Sequence, residues 1–287
     1  VIALLVSLKR SLMGVAMIRR LLPILLALGA TAAAPSHAPR RIVSLNLCAD
    51  QLLVDLADRD QIAGLTRNAT DAEMSAVAAR VRGLHILGQS AEEILAIDPD
   101  LIVGTPPFQG GMMAVLAPHH YPVVDLAWAS SYADIVAQIR QVARAVGHPE
   151  RGEALIARMN RDLAALPRAP GHPVGAYYQR RGYMTGTGTL VDDMMNRVGL
   201  TNLAAKLGKP ALSQVSLEEM IAAKPDYLIV ETGSDHVVDQ GTEMLHHPIL
   251  DHIPRLRLPQ AWTVCGGPAY VQAAQSLARQ IAAARTR

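Results

Sequence analysis

The chain has 287 residues, half of them apolar and 3% aromatic, with a formal net charge of +2 and Phe108 as the single phenylalanine. That length holds two ordinary domains or one large one, and the apolar share supplies real cores. Residues 1–33 read as an export signal: Met17, Arg19 and Arg20 open a positive segment, residues 21–30 are a short apolar run, and small residues follow through Ala34. The run falls short of the roughly 20 residues that span a bilayer. Cleavage is expected after Ala32 or Ala33, and residues 1–16 read as an upstream extension of the reading frame. Losing Lys9, Arg10, Arg19 and Arg20 turns the net charge from +2 to −2. A nucleic-acid partner is thereby set aside, since phosphate binding needs a basic field.

From Arg41 onward, short apolar runs alternate with helical stretches. Residues 41–45, 61–65, 101–103 and 123–126 read as strands. Helices are expected at 49–57, where Leu52, Leu53 and Leu56 repeat at helical spacing, and near 111–117. This βαβ rhythm predicts a parallel sheet flanked by helices, a lobe over residues 40–130. Two helices then follow with no strand between them, 132–146 and 150–166, interrupted at Gly147-His148-Pro149. Pro149 suits a first helical turn. Residues 131–167 read as a rigid helical connector, unlike a Gly/Ser linker. A second lobe, 173–287, resumes with strands at 174–178, 227–230 and 262–264, helices at 190–198 and from Leu217, and a terminal helix at 269–284.

Cys48 and Cys265 are the only two cysteines and lie in different halves of the chain. Export would permit a disulfide, but two lone thiols make no framework; both are expected as unpaired, buried, small residues. Cys48 is no lipid-anchor site, because Leu45-Asn46-Leu47 lacks the small residue needed just before it.

One segment recurs. Residues 90–100, Ser-Ala-Glu-Glu-Ile-Leu-Ala-Ile-Asp-Pro-Asp, return as residues 216–226, Ser-Leu-Glu-Glu-Met-Ile-Ala-Ala-Lys-Pro-Asp, with six of eleven positions identical and an apolar strand after each. Such similarity marks a duplicated unit. Ser90 with Glu93, and Ser216 with Glu219, are spaced as capping boxes, and Pro99 and Pro225 stop each helix. Glu92 and Glu218 are left without a structural task beyond favouring the positive end of the helix dipole.

Arg41-Ile-Val-Ser-Leu-Asn46 ahead of a helix, the paired units, and the long helical stretch between them resemble the periplasmic binding proteins for ferric siderophores, haem and cobalamin, over nearly the whole chain from about residue 40. The resemblance implies an α/β fold of two similar Rossmann-like lobes joined by a single long rigid α-helix, with the ligand cleft between the lobes. It implies a monomeric periplasmic receptor that catalyses nothing, needs no cofactor, and hands a metal chelate to the permease dimer of an ABC importer. A surface glutamate on each lobe of such proteins docks into arginine pockets of the permease. Glu92 and Glu218 stand at the matching third positions of the two units.

Ligands of open α/β sheets lie beyond the carboxyl ends of the strands. That rule selects Asn46, Leu47 and Cys48; Arg67 and Asn68; Thr105, Pro106, Phe108 and Gln109; Trp128; and, in the second lobe, Gln179, Arg180, Arg181, Tyr183 and Glu231. Residues 177–183 gather three of the seven tyrosines with two arginines. Forked arginines and aromatic hydroxyls fit an anionic, partly aromatic chelate. The favoured contacts are therefore Asn46, Leu47, Arg67, Phe108, Trp128, Tyr178, Arg180, Arg181 and Tyr183, with Tyr177 in the core. Leu212 stands where the cobalamin-binding pattern has tryptophan, so a ferric siderophore comes first, with a corrinoid or haem as alternatives. His119-His120 and His246-His247 with His252 match no zinc spacing, and Gly186-Thr187-Gly188 lacks the third glycine of a dinucleotide loop. A zinc-type receptor for the bare ion and a small α/β enzyme are the competing classes; no catalytic residues and no metal ligands are expected.

Overall fold

The computed structural model describes residues 38–88, 90–104 and 110–286; the expected export signal and Phe108 lie outside them. The first lobe runs β1 (Ile42–Ser44), α1 (Leu47–Leu56), β2 (Ile62–Gly64), α2 (Ala91–Ile97), β3 (Leu101–Val103), α3 (Gly110–Leu116) and β4 (Val123–Val124). Two helices follow, α4 (Tyr132–Ala145) and α5 (Pro149–Ala164). The second lobe runs β5 (Val174–Tyr177), β6 (Tyr183–Thr185), α6 (Leu190–Arg197), β7 (Thr201–Asn202), α7 (Leu203–Lys206), β8 (Leu212–Gln214), α8 (Leu217–Ala223), β9 (Tyr227–Glu231), α9 (Thr232–Asp235), β10 (Arg255–Leu258) and α10 (Ala269–Arg285).

Two four-stranded parallel sheets result, ordered β2-β1-β3-β4 and β7-β5-β9-β10. The orders are the same, since in each the second strand of the sheet lies outermost beside the first. An antiparallel ribbon, β6 with β8, is added to the second lobe alone. The strand expected at 262–264 is instead a single tight turn, Gln260–Trp262, and β10 lies upstream of it. Its pattern is Arg-Leu-Arg-Leu, with Leu256 and Leu258 buried and Arg257 exposed. The alternation is sound, but no apolar run advertises it.

The duplicated unit has a clear physical purpose. Ser90 and Ser216 accept from the backbone N–H of Glu93 and Glu219, each at 3.2 Å, and capping an N–H in this way contributes about 1 kcal/mol. The reciprocal half of the capping box does not form. Glu93 instead meets the Gly88 N–H at 2.6 Å and His85 at 2.9 Å, and Glu219 pairs with Lys209 at 2.8 Å. Each helix ends in a left-handed residue, Asp98 (φ 48°) or Lys224 (φ 47°). The closing aspartate then ties the unit to the lobe's first strand. Asp100 accepts from the N–H groups of Arg40 and Arg41, each at 2.8 Å, and Asp226 accepts from that of Val174 at 2.7 Å.

Helices α4 and α5 pack antiparallel, Arg140 pairing with Glu153 at 2.6 Å and Tyr132 donating to Asn160 at 2.8 Å. Gly152 makes the approach possible, because a Cβ there would stand 2.6 Å from that of Ala143. Arg151 of α5 reaches back to the Leu56 carbonyl and Asp58, so the single helix that leaves for the second lobe is anchored on the first. One apolar layer joins Leu52 and Leu56 of α1, Ile135 and Ile139 of α4, Met159 of α5, Met194 of α6, and Leu277 of α10. Tyr132 and Tyr270 stack within this layer, their ring centres 5.6 Å apart, under the guanidinium of Arg197. Smaller cores cover the outer faces of the sheets, around Ile94 and Ile102 in the first lobe and Tyr178 and Met220 in the second.

Candidate functional site

The carboxyl ends of both parallel sheets open on one cavity of about 820 Å³, where strand-end chemistry is placed in this fold class. The first lobe contributes residues 45–48 after β1, Thr66 and Asn68 after β2, and residues 126–130 after β4. The second contributes Tyr177 and Gln179 after β5, Thr185, residues 188–191, Glu231 at the end of β9, and residues 260–266 after β10, apart from Ala261 and Trp262.

The first wall is held from behind by Asp50. The Asn46 side chain caps α1 by accepting from the Ala49 N–H at 2.8 Å. One turn further on, fully buried Asp50 accepts from the Thr66 N–H at 3.0 Å and from its hydroxyl. This fixes the loop after β2 onto α1. Burial pushes the Asp50 carboxyl up to about 6, against the opposing hydrogen bonds of Ser44 and Thr66. Trp128 stands at the mouth, 85% exposed.

The second wall is a polar chain across three strands. Glu231, only 9% exposed, accepts through one oxygen from Gln179 at 3.1 Å and from the Tyr177 hydroxyl at 3.3 Å. That hydroxyl also lies 3.2 Å from Thr263, and Thr185 donates to Gln179 at 3.2 Å. Burial, and then the negative charge of Glu231, drives the Tyr177 phenol far above its ordinary value; it stays a neutral donor.

The expected contacts divide. Asn46, Leu47 and Trp128 line the cavity. Arg67 does not; it is exposed, while its neighbours Thr66 and Asn68 line the wall. Tyr178 is fully buried in the outer core of the second lobe and donates to the Val215 carbonyl at 3.0 Å. Tyr177 has its body in the central core as expected, but its hydroxyl end reaches the cavity. Arg180 turns away to Asp239 at 2.8 Å, and Arg181 occupies an exposed left-handed turn (φ 58°). Tyr183 lies on β6 opposite Gln214 and outside the lining. The expected cluster at residues 177–183 is therefore split, because successive strand residues face opposite sides of a sheet. Glu92 and Glu218 are exposed in the first turns of α2 and α8. The Glu218 carboxyl is held below its usual range by its own backbone N–H and the Ser216 hydroxyl, with His247 adding attraction.

The cysteines overturn their expectation. Cys48 in the first turn of α1 and Cys265 after β10 form a disulfide with Cα atoms 5.3 Å apart, across 217 residues of sequence. Both line the cavity, so the bond crosses between lobes at the cleft itself. Next to it, Gly266 lets the backbone press on Ala129, where a Cβ would come within 2.3 Å of the alanine's own. Among the described residues, no three His, Cys, Asp or Glu side chains gather to hold a metal ion, and no helix is long and apolar enough to cross a membrane.

The family described as periplasmic binding protein matches residues 42–257. A cobalamin-binding protein of Halobacterium salinarum is 24% identical over 213 residues, 72% of this chain and 58% of its own length. A vitamin B12-binding protein of Pectobacterium atrosepticum is 27% identical over 209 residues, 68% of this chain and 72% of its own. Among solved structures, the periplasmic haem-binding protein RhuT of Roseiflexus superposes with a TM-score of 0.68 at 27% identity, over 85% of this chain and 98% of that one. The chain thus spans little more than half the length of the archaeal relative.

Proposed function

The chain belongs to the periplasmic binding protein family, and from that footing we propose that it captures a corrinoid in the periplasm and delivers it to the permease of an ABC importer. One observation carries the choice of ligand class: among the described residues, no arginine, lysine or histidine lines the cavity. The carboxylates of haem propionates, and the negative charge of carboxylate or catecholate siderophores, would there meet no cation and one buried carboxylate, an arrangement that disfavours them. The anionic chelate suggested by the arginine-rich 177–183 segment loses its support for the same reason.

The walls instead carry neutral donors and acceptors, with the amides of Asn46, Asn68, Gln138, Gln179 and Gln260 set among apolar surface. A corrin ring bears a fringe of amides around a broad apolar face, the complement of such a wall. Trp128, exposed to 85%, supplies apolar surface at the mouth. The names of the cobalamin-binding and vitamin B12-binding relatives point the same way.

Melting the purified protein with cyanocobalamin, haem or a ferric trihydroxamate tests the ligand class, since a ligand that binds only the native state raises the midpoint. Cyanocobalamin is expected to raise it with one-to-one stoichiometry; a rise with haem alone would reject the reading. Delivery rests on Glu92 and Glu218 as permease contacts. Reversing both charges is expected to abolish uptake and leave affinity intact, and a large loss of affinity would reject that role.

A further inference from the structure

We infer that Glu231 sets the charge preference of the cleft, making it favour a chelate of net positive charge over an otherwise equal neutral one. Resting on the cleft assignment above, this adds a rule of selection within it. Apart from the phenol of Tyr177, Glu231 is the only ionisable side chain, disulfide sulfurs aside, among the described residues lining the cavity. It is nine-tenths buried. Its first oxygen accepts from two neutral donors, Tyr177 and Gln179, while its second has only the Ser234 hydroxyl at 3.5 Å.

Among the described residues, no cation pairs with it. Arg180 is engaged by Asp239 at 2.8 Å, Arg255 by Asp235 at 3.0 Å, Arg257 by the same carboxylate, and Lys209 by Glu219 at 2.8 Å. A carboxylate this buried, with no cation paired to it, acts on a bound ligand at an effective dielectric below that of bulk water. Neutral hydrogen bonds spread its charge without cancelling it.

The test compares ligand pairs that differ chiefly in charge. Aquacobalamin, a cation, and cyanocobalamin, neutral, form one pair; a linear ferric trihydroxamate with a free ammonium arm and its N-acetylated form make the other. Calorimetry on the full chain at low salt is expected to give about tenfold tighter binding of the cation in the pair the cleft accepts, the size of one charge–charge interaction at this dielectric. The preference is expected to vanish in Glu231→Gln, persist in Glu231→Asp and shrink in high salt. Equal affinity for both corrinoids overturns the inference and leaves the corrinoid reading standing. Binding of the cationic hydroxamate with neither corrinoid does the reverse. A cleft that accepts neither pair overturns both, and a visible band shift of aquacobalamin that is lost in Glu231→Gln replaces the field with ligation to cobalt and also overturns it.

Discussion

Helices α1 and α6 precede the outermost strand of their respective sheets, and the fourth residue of each is an aspartate put to a different use. Asp50 is fully buried and bonded to Thr66, with no cation beside it. Asp193 accepts from the Tyr270 hydroxyl and lies 4.0 Å from Arg197. The same divergence runs through the cleft. The first lobe offers a helix N-terminus and an aromatic loop, the second a carboxylate, a phenol and an amide linked between the ends of β5 and β9. The two copies share what ties each unit to its sheet, while the strand ends, where this fold class places its binding chemistry, carry different side chains.

Cutting the bond that couples the lobes has the largest expected effect. Reducing Cys48–Cys265, or replacing both cysteines by alanine, is expected to lower unfolding stability by about 4 kcal/mol, since the closed loop is long. Denaturant unfolding with and without reductant measures it. The shared layer of α1, α4, α5, α6 and α10 should keep the transition single. Two separated transitions would show instead that the disulfide, and not the apolar layer, makes the lobes one unit.

Acidification should act on the lobes unequally. The Asp50 carboxyl titrates at about 6 in the folded protein against an ordinary 3.8, so the native state binds its proton more readily than the unfolded chain does. Its contribution to stability therefore grows as pH falls through about 6 and is complete below the unfolded value. The gain is on the order of 3 kcal/mol, at about 1.36 kcal/mol for each tenfold difference in proton affinity between the two states. Asp50→Asn is expected to remove that slope between pH 6 and 4 when its unfolding curves are compared with those of the parent; parallel curves would reject the burial effect.

A smaller effect separates the two copies of the duplicated unit. Asp100 holds two backbone N–H groups and Asp226 one. Asp100→Ala should cost about 2 kcal/mol and Asp226→Ala about 1 kcal/mol, following the number of bonds to a charged acceptor. Equal losses would mean that the clamp acts through the helix–strand turn and not through the count of bonds.

Much of this plan is legible in residues, and the parts that are not have physical reasons. The repeat at 90–100 and 216–226 announces two like lobes, because serine caps, stop prolines and strand-clamping aspartates are local requirements written in local sequence. The strand-end rule finds Asn46, Asn68, Trp128, Gln179 and Glu231 without any contact being known. It misplaces Tyr178 and the arginines, since the face a side chain takes depends on register, which one residue of offset reverses. It misses residues 260–266 because charged Arg255 and Arg257 hide the strand before them. The disulfide leaves no trace in spacing at all: 217 residues separate its ends, and only the meeting of both sheets at one cleft brings them together.

Arg180 gives the finest test of how composition misleads at such a site. Read from sequence, it is an anion-binding fork beside two tyrosines, and its loss would weaken a chelate by about 1–3 kcal/mol. Placed in the fold, it spans the turn after β5 to Asp239, its side chain still 45% exposed. An ion pair of that exposure contributes about 0–1 kcal/mol to stability and nothing directly to the cleft. Arg180→Ala is therefore expected to leave the dissociation constant within about twofold of the parent, against the roughly tenfold effects that Glu231 should produce across the same strand ends. A loss of tenfold or more would place the arginine back in the site, and with it the anionic ligand that walls without a cation argue against.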